Sequence, residues 1–137
     1  MIAAILTSAA LGASAPQAVP DTLARFDLVC SGQARTLAGP KIPSDWTRTW
    51  SVDLAAGRWC DRSEGCEQIR EVAGVQGDLI ILERISSNNR LTDLEVSRST
   101  GAVVISLDLG RAAYQLKGDC RTAPFEAIDP ATPAPGE

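Results

Sequence analysis

The feature that most constrains the fold is a series of short segments in which apolar and polar residues alternate. In WTRTWSVDL (46–54) the tryptophans, the valine and the leucine share one face, and AVVISLDL (102–109) repeats this pattern. A period of two residues is typical of a β-strand with one buried face. Seven or eight such segments, separated by short turns, lie between Arg25 and Cys120. The sequence therefore predicts an all-β domain in which neighbouring strands are antiparallel.

The succession of short strands along the chain indicates how the sheet is arranged. An open antiparallel meander exposes two strand edges, which natural proteins avoid. A link between the first strand (25–32) and the last strand (112–120) would bring these edges together, so we expect a small up-and-down β-barrel, with a β-sandwich as the alternative. The most apolar run, LIILERI (79–85), is predicted to be a central strand or one with both faces covered. Residues 31–44 are expected to form a long link after the first strand.

Four cysteines are predicted to form two disulfides that staple this barrel. Cys60 and Cys66 enclose DRSEG, a typical turn composition, and are the natural local pair. That leaves Cys30 to pair with Cys120, which joins the first strand to the last. A structural zinc site would require closely spaced cysteine pairs or histidines, and a redox pair would require C-x-x-C. The C-x₅-C spacing favours the structural interpretation.

The N-terminal region predicts export. The first 18 residues contain no charged side chain, and the apolar run from Ile2 to Leu11 is shorter than the ~20 residues that span a bilayer. We interpret residues 1–18 as a signal peptide, with a buried N-terminal helix as the alternative. Residues 19–126 would form one β domain and residues 127–137 a disordered proline-rich tail. Together with the even cysteine count, this organisation predicts a periplasmic or secreted protein.

Charge and composition narrow the functional classes. The net charge of −4 and the pI of 4.8 disfavour binding to nucleic acid or to anionic lipid. The absence of histidine excludes Ser-His-Asp triads and histidine metal sites. We therefore expect no catalytic residue, metal, cofactor or stable membrane span. The predicted function is that of a non-catalytic exported binding or envelope-associated module, whose partner is an unidentified protein or small ligand of the cell envelope.

Five residues are candidates for a binding surface. Trp46, Arg48 and Trp50 share one strand face, with Trp46 expected near the barrel rim. They could line a pocket at the barrel mouth; alternatively, both indoles are enclosed in the core and Arg48 points to water. Tyr114 and Lys117, beside the last cysteine, complete the set.

Several segments resemble those of known exported proteins. VDLAAGRWC (52–60), SRSTGAVVISL (97–107) and GDCRTAPF (118–125) resemble small exported proteins of alphaproteobacteria, over about residues 25–126. This resemblance implies a location and a fold but no activity. More distantly, YQLKG (114–118) is similar to the Y…KG stretch of the periplasmic inhibitors of C-type lysozyme, which are small disulfide-containing β-barrels.

The inhibitor resemblance covers only part of that family's inhibitory apparatus. Tyr114, Lys117 and Gly118 match one element. The second element, a Ser-Gly loop leading to a tyrosine, has no counterpart because Tyr114 is the only tyrosine in the chain. The resemblance implies an alternative function, the inhibition of a cationic cell-wall-degrading enzyme.

Overall fold

The computed structural model describes residues 18–128, which form nine β-strands and one 3₁₀ turn, Arg62–Glu64. The strands are β1 (Arg25–Ala38), β2 (Asp45–Asp53), β3 (Arg58–Asp61), β4 (Arg70–Glu71), β5 (Gly74–Gln76), β6 (Leu79–Ser87), β7 (Arg90–Ser97), β8 (Ala102–Asp108) and β9 (Ala113–Ala123). The all-β prediction is confirmed, with nine strands in place of the seven or eight expected.

The strands form a single antiparallel sheet in the order β4-β3-β2-β1-β9-β8-β7-β6-β5. The first and last strands pair with each other at the centre of the sheet, and β4 and β5 are its two edges. β4 ends at Glu71 and β5 begins at Gly74, so a link that can span only about 11 Å joins the opposite edges. The sheet must therefore curl into a barrel. The barrel is incomplete, because β4 and β5 do not pair.

The first strand is longer than the sequence suggested. β1 runs for 14 residues to Ala38, so the predicted link at residues 31–44 is wrong for its first eight residues. Glycine usually weakens a strand, but Gly32 lies directly opposite Gly118 of β9. Two facing glycines let the strands approach closely, and pairing with β9 continues as far as Ala38. The link between β1 and β2 is correspondingly shorter.

The most apolar run forms β6, which is not a central strand because it lies next to the edge strand β5. Ile80, Ile81 and Leu82 are all buried. The pairing register with β7 shifts between Ile81 and Glu83, so Leu82 is the extra residue of a β-bulge. The other expectation for this segment, a strand with both faces covered, therefore holds only for these three residues, because Arg84 and Ile85 are exposed.

The core is mainly aliphatic and lies on the concave side of the sheet. Its buried members are Val19, Phe26, Leu28, Cys30, Trp50, Val52, Trp59, Ile80, Leu82, Leu94, Val96, Val103, Ile105 and Cys120. Burial of a large apolar side chain contributes about 1.5–3 kcal/mol. Because all of these residues except Val19 come from β1, β2, β3, β6, β7, β8 and β9, their burial holds the curled sheet together.

Both disulfides form as predicted, Cys30–Cys120 and Cys60–Cys66. Cys30 and Cys120 are directly opposite each other in the pairing of β1 with β9. The short bridge closes the loop that contains the 3₁₀ turn. Two disulfides are typical of proteins that fold in an oxidising compartment.

The N-terminal segment is anchored to the barrel. Val19 is fully buried, and its N–H donates to the carbonyl of Arg98 at 2.9 Å. The Arg98 guanidinium donates to the carbonyls of Pro20, Asp21 and Leu23. Val19 and the residues after it belong to the predicted β domain, and residues 1–17 of the predicted signal peptide lie outside the described residues.

The C-terminal segment is also docked. Ile128 is 5% exposed, and Arg62 donates to the carbonyls of Glu126 and Ala127, both at 2.7 Å. Ala127 and Ile128, which were predicted to belong to the tail, therefore contact the barrel. The rest of the predicted tail, residues 129–137, lies outside the described residues.

Candidate functional site

The concave side of the sheet contains a cavity of about 420 Å³. Trp46, Trp50 and Trp59 line it on the side of β2 and β3. The opposite wall is aliphatic and consists of Leu94, Ile105, Leu107 and Leu116, from β7, β8 and β9. This volume and this mainly apolar lining are typical of sites that bind small molecules.

The alternation in β2 brings three of the predicted residues to one wall. Trp46, Arg48 and Trp50 are two residues apart, so their side chains point to the same face of the strand. Two of their partners on β1 are Leu28, opposite Trp50, and Gly32, opposite Trp46. The wall therefore runs from the buried core at Trp50 towards the rim at Trp46.

Trp50 and Trp59 form the floor of the cavity. They are 2% and 4% exposed, and their rings meet edge to face with centroids 6.3 Å apart. The Trp59 indole N–H donates to the carbonyl of Leu82 at 2.9 Å, which links β3 to β6. This hydrogen bond connects the two sides of the incomplete barrel. Trp50 is therefore both a member of the core and part of the cavity lining.

Trp46 is half-buried and its orientation is fixed by two carbonyl groups. Its indole N–H lies 3.2 Å from the carbonyl oxygen of Gln33 and 3.3 Å from that of Lys117. These carbonyls belong to β1 and β9 and flank the Gly32–Gly118 pair. The ring therefore extends over the place where the sheet has no side chains.

Arg48 is paired with carboxylates at the rim. Its guanidinium lies 3.4 Å from Asp61 and 3.7 Å from Glu64, and the side chain is 40% exposed. The short disulfide positions both acids, because Asp61 and Glu64 lie in the loop that it closes. Asp61 also accepts the N–H of Ser63 and caps the 3₁₀ turn. The Cys60–Cys66 loop thus forms an acidic rim.

A second ion pair lies between β4 and β6. Arg70 and Glu83 are 2.8 Å apart, and the Arg70 guanidinium lies 5.6 Å from the centroid of the Trp59 ring. Sequence reasoning missed both residues, as well as Asp61 and Glu64. Glu83 could have been identified from the sequence, because a carboxylate within the most apolar run indicates that the side chain has a buried partner. The identity of that partner depends on long-range geometry that the pattern does not contain.

Tyr114 and Lys117 do not form a single surface. Tyr114 shares the concave face of β9 with Leu116, and its hydroxyl donates to the Pro40 carbonyl at 2.9 Å. Lys117 is exposed and lies on the opposite face, because it is an odd number of residues away. The YQLKG stretch (114–118) is therefore divided between the two faces of β9.

Within residues 18–128, no helix is long and apolar enough to cross a membrane. No group of three or more histidine, cysteine, aspartate or glutamate side chains in that range is arranged to hold a metal ion. The chain matches no family model, and no curated protein or solved structure shows significant similarity to it.

Proposed function

We propose that the protein is a non-catalytic, exported binding module that holds a small ligand with an apolar body in the concave cavity of its barrel. The observation that carries this proposal is the cavity of about 420 Å³ between three tryptophans and four aliphatic side chains. Charged side chains at its rim would orient the ligand. A few polar groups around a mainly apolar lining are the usual arrangement of a specific small-molecule site.

The disulfides support an extracytoplasmic location. Cys30–Cys120 and Cys60–Cys66 leave no cysteine unpaired. Stable disulfides form in the periplasm or outside the cell and are rare in the cytosol. This agrees with the uncharged apolar N-terminal segment. The ligand would accordingly be a molecule of the cell envelope or of the surrounding medium.

A cavity-filling variant tests the proposal. Leu107 lines the cavity, so Leu107→Trp should fill it, whereas Leu109→Trp places the same ring at a position that is 43% exposed and outside the cavity lining. The probe is N-phenyl-1-naphthylamine, an uncharged aromatic amine that becomes fluorescent in apolar sites. We expect the native protein and Leu109→Trp to bind it with similar affinity, and Leu107→Trp to bind at least tenfold more weakly.

Calorimetric titration with the same probe provides a measurement that does not depend on tryptophan emission. Thermal unfolding of both variants would verify that each is folded at the temperature of the titration. Probe binding that Leu107→Trp leaves unchanged would locate the probe elsewhere and contradict the proposal. So would an absence of binding to the native protein.

A further inference from the structure

Both arginines in the lining of the cavity are already paired with carboxylates. Arg48 contacts Asp61 and Glu64, and Arg70 contacts Glu83 at 2.8 Å. An anionic ligand would have to displace one of these pairs. Asp61 and Glu64 share the single Arg48 guanidinium, so a cation could join them without displacing Arg48, whereas an acidic headgroup would have to break an ion pair.

The carboxylates of the lining outnumber the guanidinium groups. Four acids line the cavity, namely Asp45, Asp61, Glu64 and Glu83, against the two bases Arg48 and Arg70, which leaves a surplus of two negative charges (4 − 2). Glu67 lines an adjoining depression together with Asp61 and Glu64. The Glu64 side chain is 60% exposed, so its carboxylate is accessible from solvent.

The lining of the cavity already contains a cationic side chain placed over an indole ring. The Arg70 guanidinium lies over the Trp59 ring and pairs with Glu83. The negative face of an aromatic ring attracts cations, and indole does so more strongly than the other side-chain rings. Trp46 provides a second indole in the lining of the same cavity, on the side of β1 and β9.

We propose that the ligand is an organic cation with an apolar body, of the alkylammonium class. This inference rests on the proposed function and specifies its ligand. The alkyl chain would pack between Trp50 and the aliphatic wall at Leu107 and Leu116. The ammonium group would lie at the rim beside Glu64 and Asp61, and the Trp46 ring would line the cavity on the side of β1 and β9.

Three probes with the same eight-carbon chain test the sign of the charge: octylammonium, octan-1-ol and octanoate, titrated calorimetrically at pH 7. We expect octylammonium to bind most tightly and octanoate least tightly. Added salt should weaken octylammonium binding, because screening shortens the range of the rim charges. It should leave octan-1-ol binding nearly unchanged.

Two variants change the rim in opposite directions. Glu64→Gln removes a carboxylate and should weaken octylammonium binding by about 1.5- to fivefold, the range for a partly exposed charge pair. Arg48→Gln frees Asp61 and Glu64, and should strengthen octylammonium binding by a similar factor. Neither variant should alter the affinity for octan-1-ol. Asp119→Asn, at an exposed position outside the cavity lining, is the matched control for net charge and should change none of the three affinities.

The outcomes separate this inference from the proposed function. Octan-1-ol or octanoate binding as tightly as octylammonium would overturn the cationic ligand and leave the binding function intact. Equal effects of Glu64→Gln and Asp119→Asn would also contradict the rim site. If none of the three probes binds but N-phenyl-1-naphthylamine does, the alkylammonium ligand is overturned and the binding function stands. If N-phenyl-1-naphthylamine does not bind either, both proposals fail.

Discussion

Gly32 of β1 lies directly opposite Gly118 of β9, and the backbone of each strand occupies the space that a Cβ on the other would need. A Cβ on Gly32 would overlap the carbonyl oxygen of Lys117, and one on Gly118 would overlap that of Ser31. Both overlaps are with backbone, which cannot rotate away as a side chain can. The close contact of the first and last strands therefore depends on both glycines.

Replacement of Gly118 by alanine should destabilise the protein. The strands would have to separate at their central contact, and overpacking of this kind costs about 1–3 kcal/mol. Urea unfolding measures the change in the free energy of unfolding. Gly74→Ala is the control because a Cβ there has no heavy atom within 4 Å, and we expect it to change stability by less than about 0.5 kcal/mol. Equal stability of the two variants would contradict the steric argument.

The glycine pair also shows what the sequence could and could not predict. Alternation is a local property, so it correctly placed Trp46, Arg48 and Trp50 on one strand face. The pairing of Gly32 with Gly118 depends on the register of strands that are distant in sequence, and Gly32 by itself indicated the end of a strand. β4 and β5 contain only two and three residues, which is too short for a periodic pattern. The position of the gap in the barrel, and the Arg70–Glu83 pair that spans it, were therefore not predictable.

The two disulfides should differ in their contribution to stability. Cys30–Cys120 has a sequence separation of 90 and Cys60–Cys66 a separation of 6. A disulfide stabilises the fold by reducing the entropy of the unfolded chain, and this effect should contribute about 4.6 kcal/mol for the long bridge and about 2.4 kcal/mol for the short one. We expect the double serine variant of the long bridge to unfold at a lower urea concentration than that of the short bridge. Cys30, Cys60 and Cys120 are buried and Cys66 is half-buried, so the cost of burying serine adds to the loss expected for the long bridge. The reverse order of unfolding would contradict the entropic account.

Trp50 should contribute to both stability and binding. Trp50→Ala removes a ring that is 2% exposed and should cost about 3–5 kcal/mol in the free energy of unfolding. Trp46→Ala should cost less, because Trp46 is half-buried at the rim. Thermal and urea unfolding provide the comparison, and titration with octylammonium should show weaker binding for both variants. A smaller loss of stability for Trp50→Ala than for Trp46→Ala would contradict the assignment of Trp50 to the floor.

Arg62 should hold the C-terminal segment on the barrel. Its guanidinium donates to the Ser51 hydroxyl at 2.7 Å as well as to the carbonyls of Glu126 and Ala127. Arg62→Met keeps most of the apolar stem but removes these bonds, and should lower the free energy of unfolding by about 1.5–3 kcal/mol. Hydrogen exchange at the Glu126 amide, which donates to Asp27, should accelerate.

Arg121→Met is the control for Arg62→Met, because Arg121 is exposed. It should leave both the stability and the exchange rate of the Glu126 amide nearly unchanged. An unaltered exchange rate in Arg62→Met would show that other contacts suffice to hold the segment.

Stability should fall on acidification, in part through Asp53. Burial by itself raises the pKa of this carboxyl, but the Ala56 N–H at 2.9 Å and the Arg25 guanidinium at 3.2 Å together outweigh it and hold the pKa below 3.8. The folded state therefore binds this proton more weakly than the unfolded chain does. The contribution of the ionised carboxylate is fully present well above pH 3.8 and is lost as the pH falls through the pKa of the folded state.

Asp53→Asn isolates this contribution, because the amide oxygen can still accept from Ala56 while the charge is absent. Arg25 is largely exposed, so we expect the variant to be less stable than the native protein by about 0.2–1 kcal/mol at pH 6. Urea unfolding between pH 6 and pH 2.5 should show this difference shrinking as the native carboxyl becomes protonated. A difference that stays constant over the whole range would mean that the ionisation of Asp53 does not contribute to the acid sensitivity of the fold.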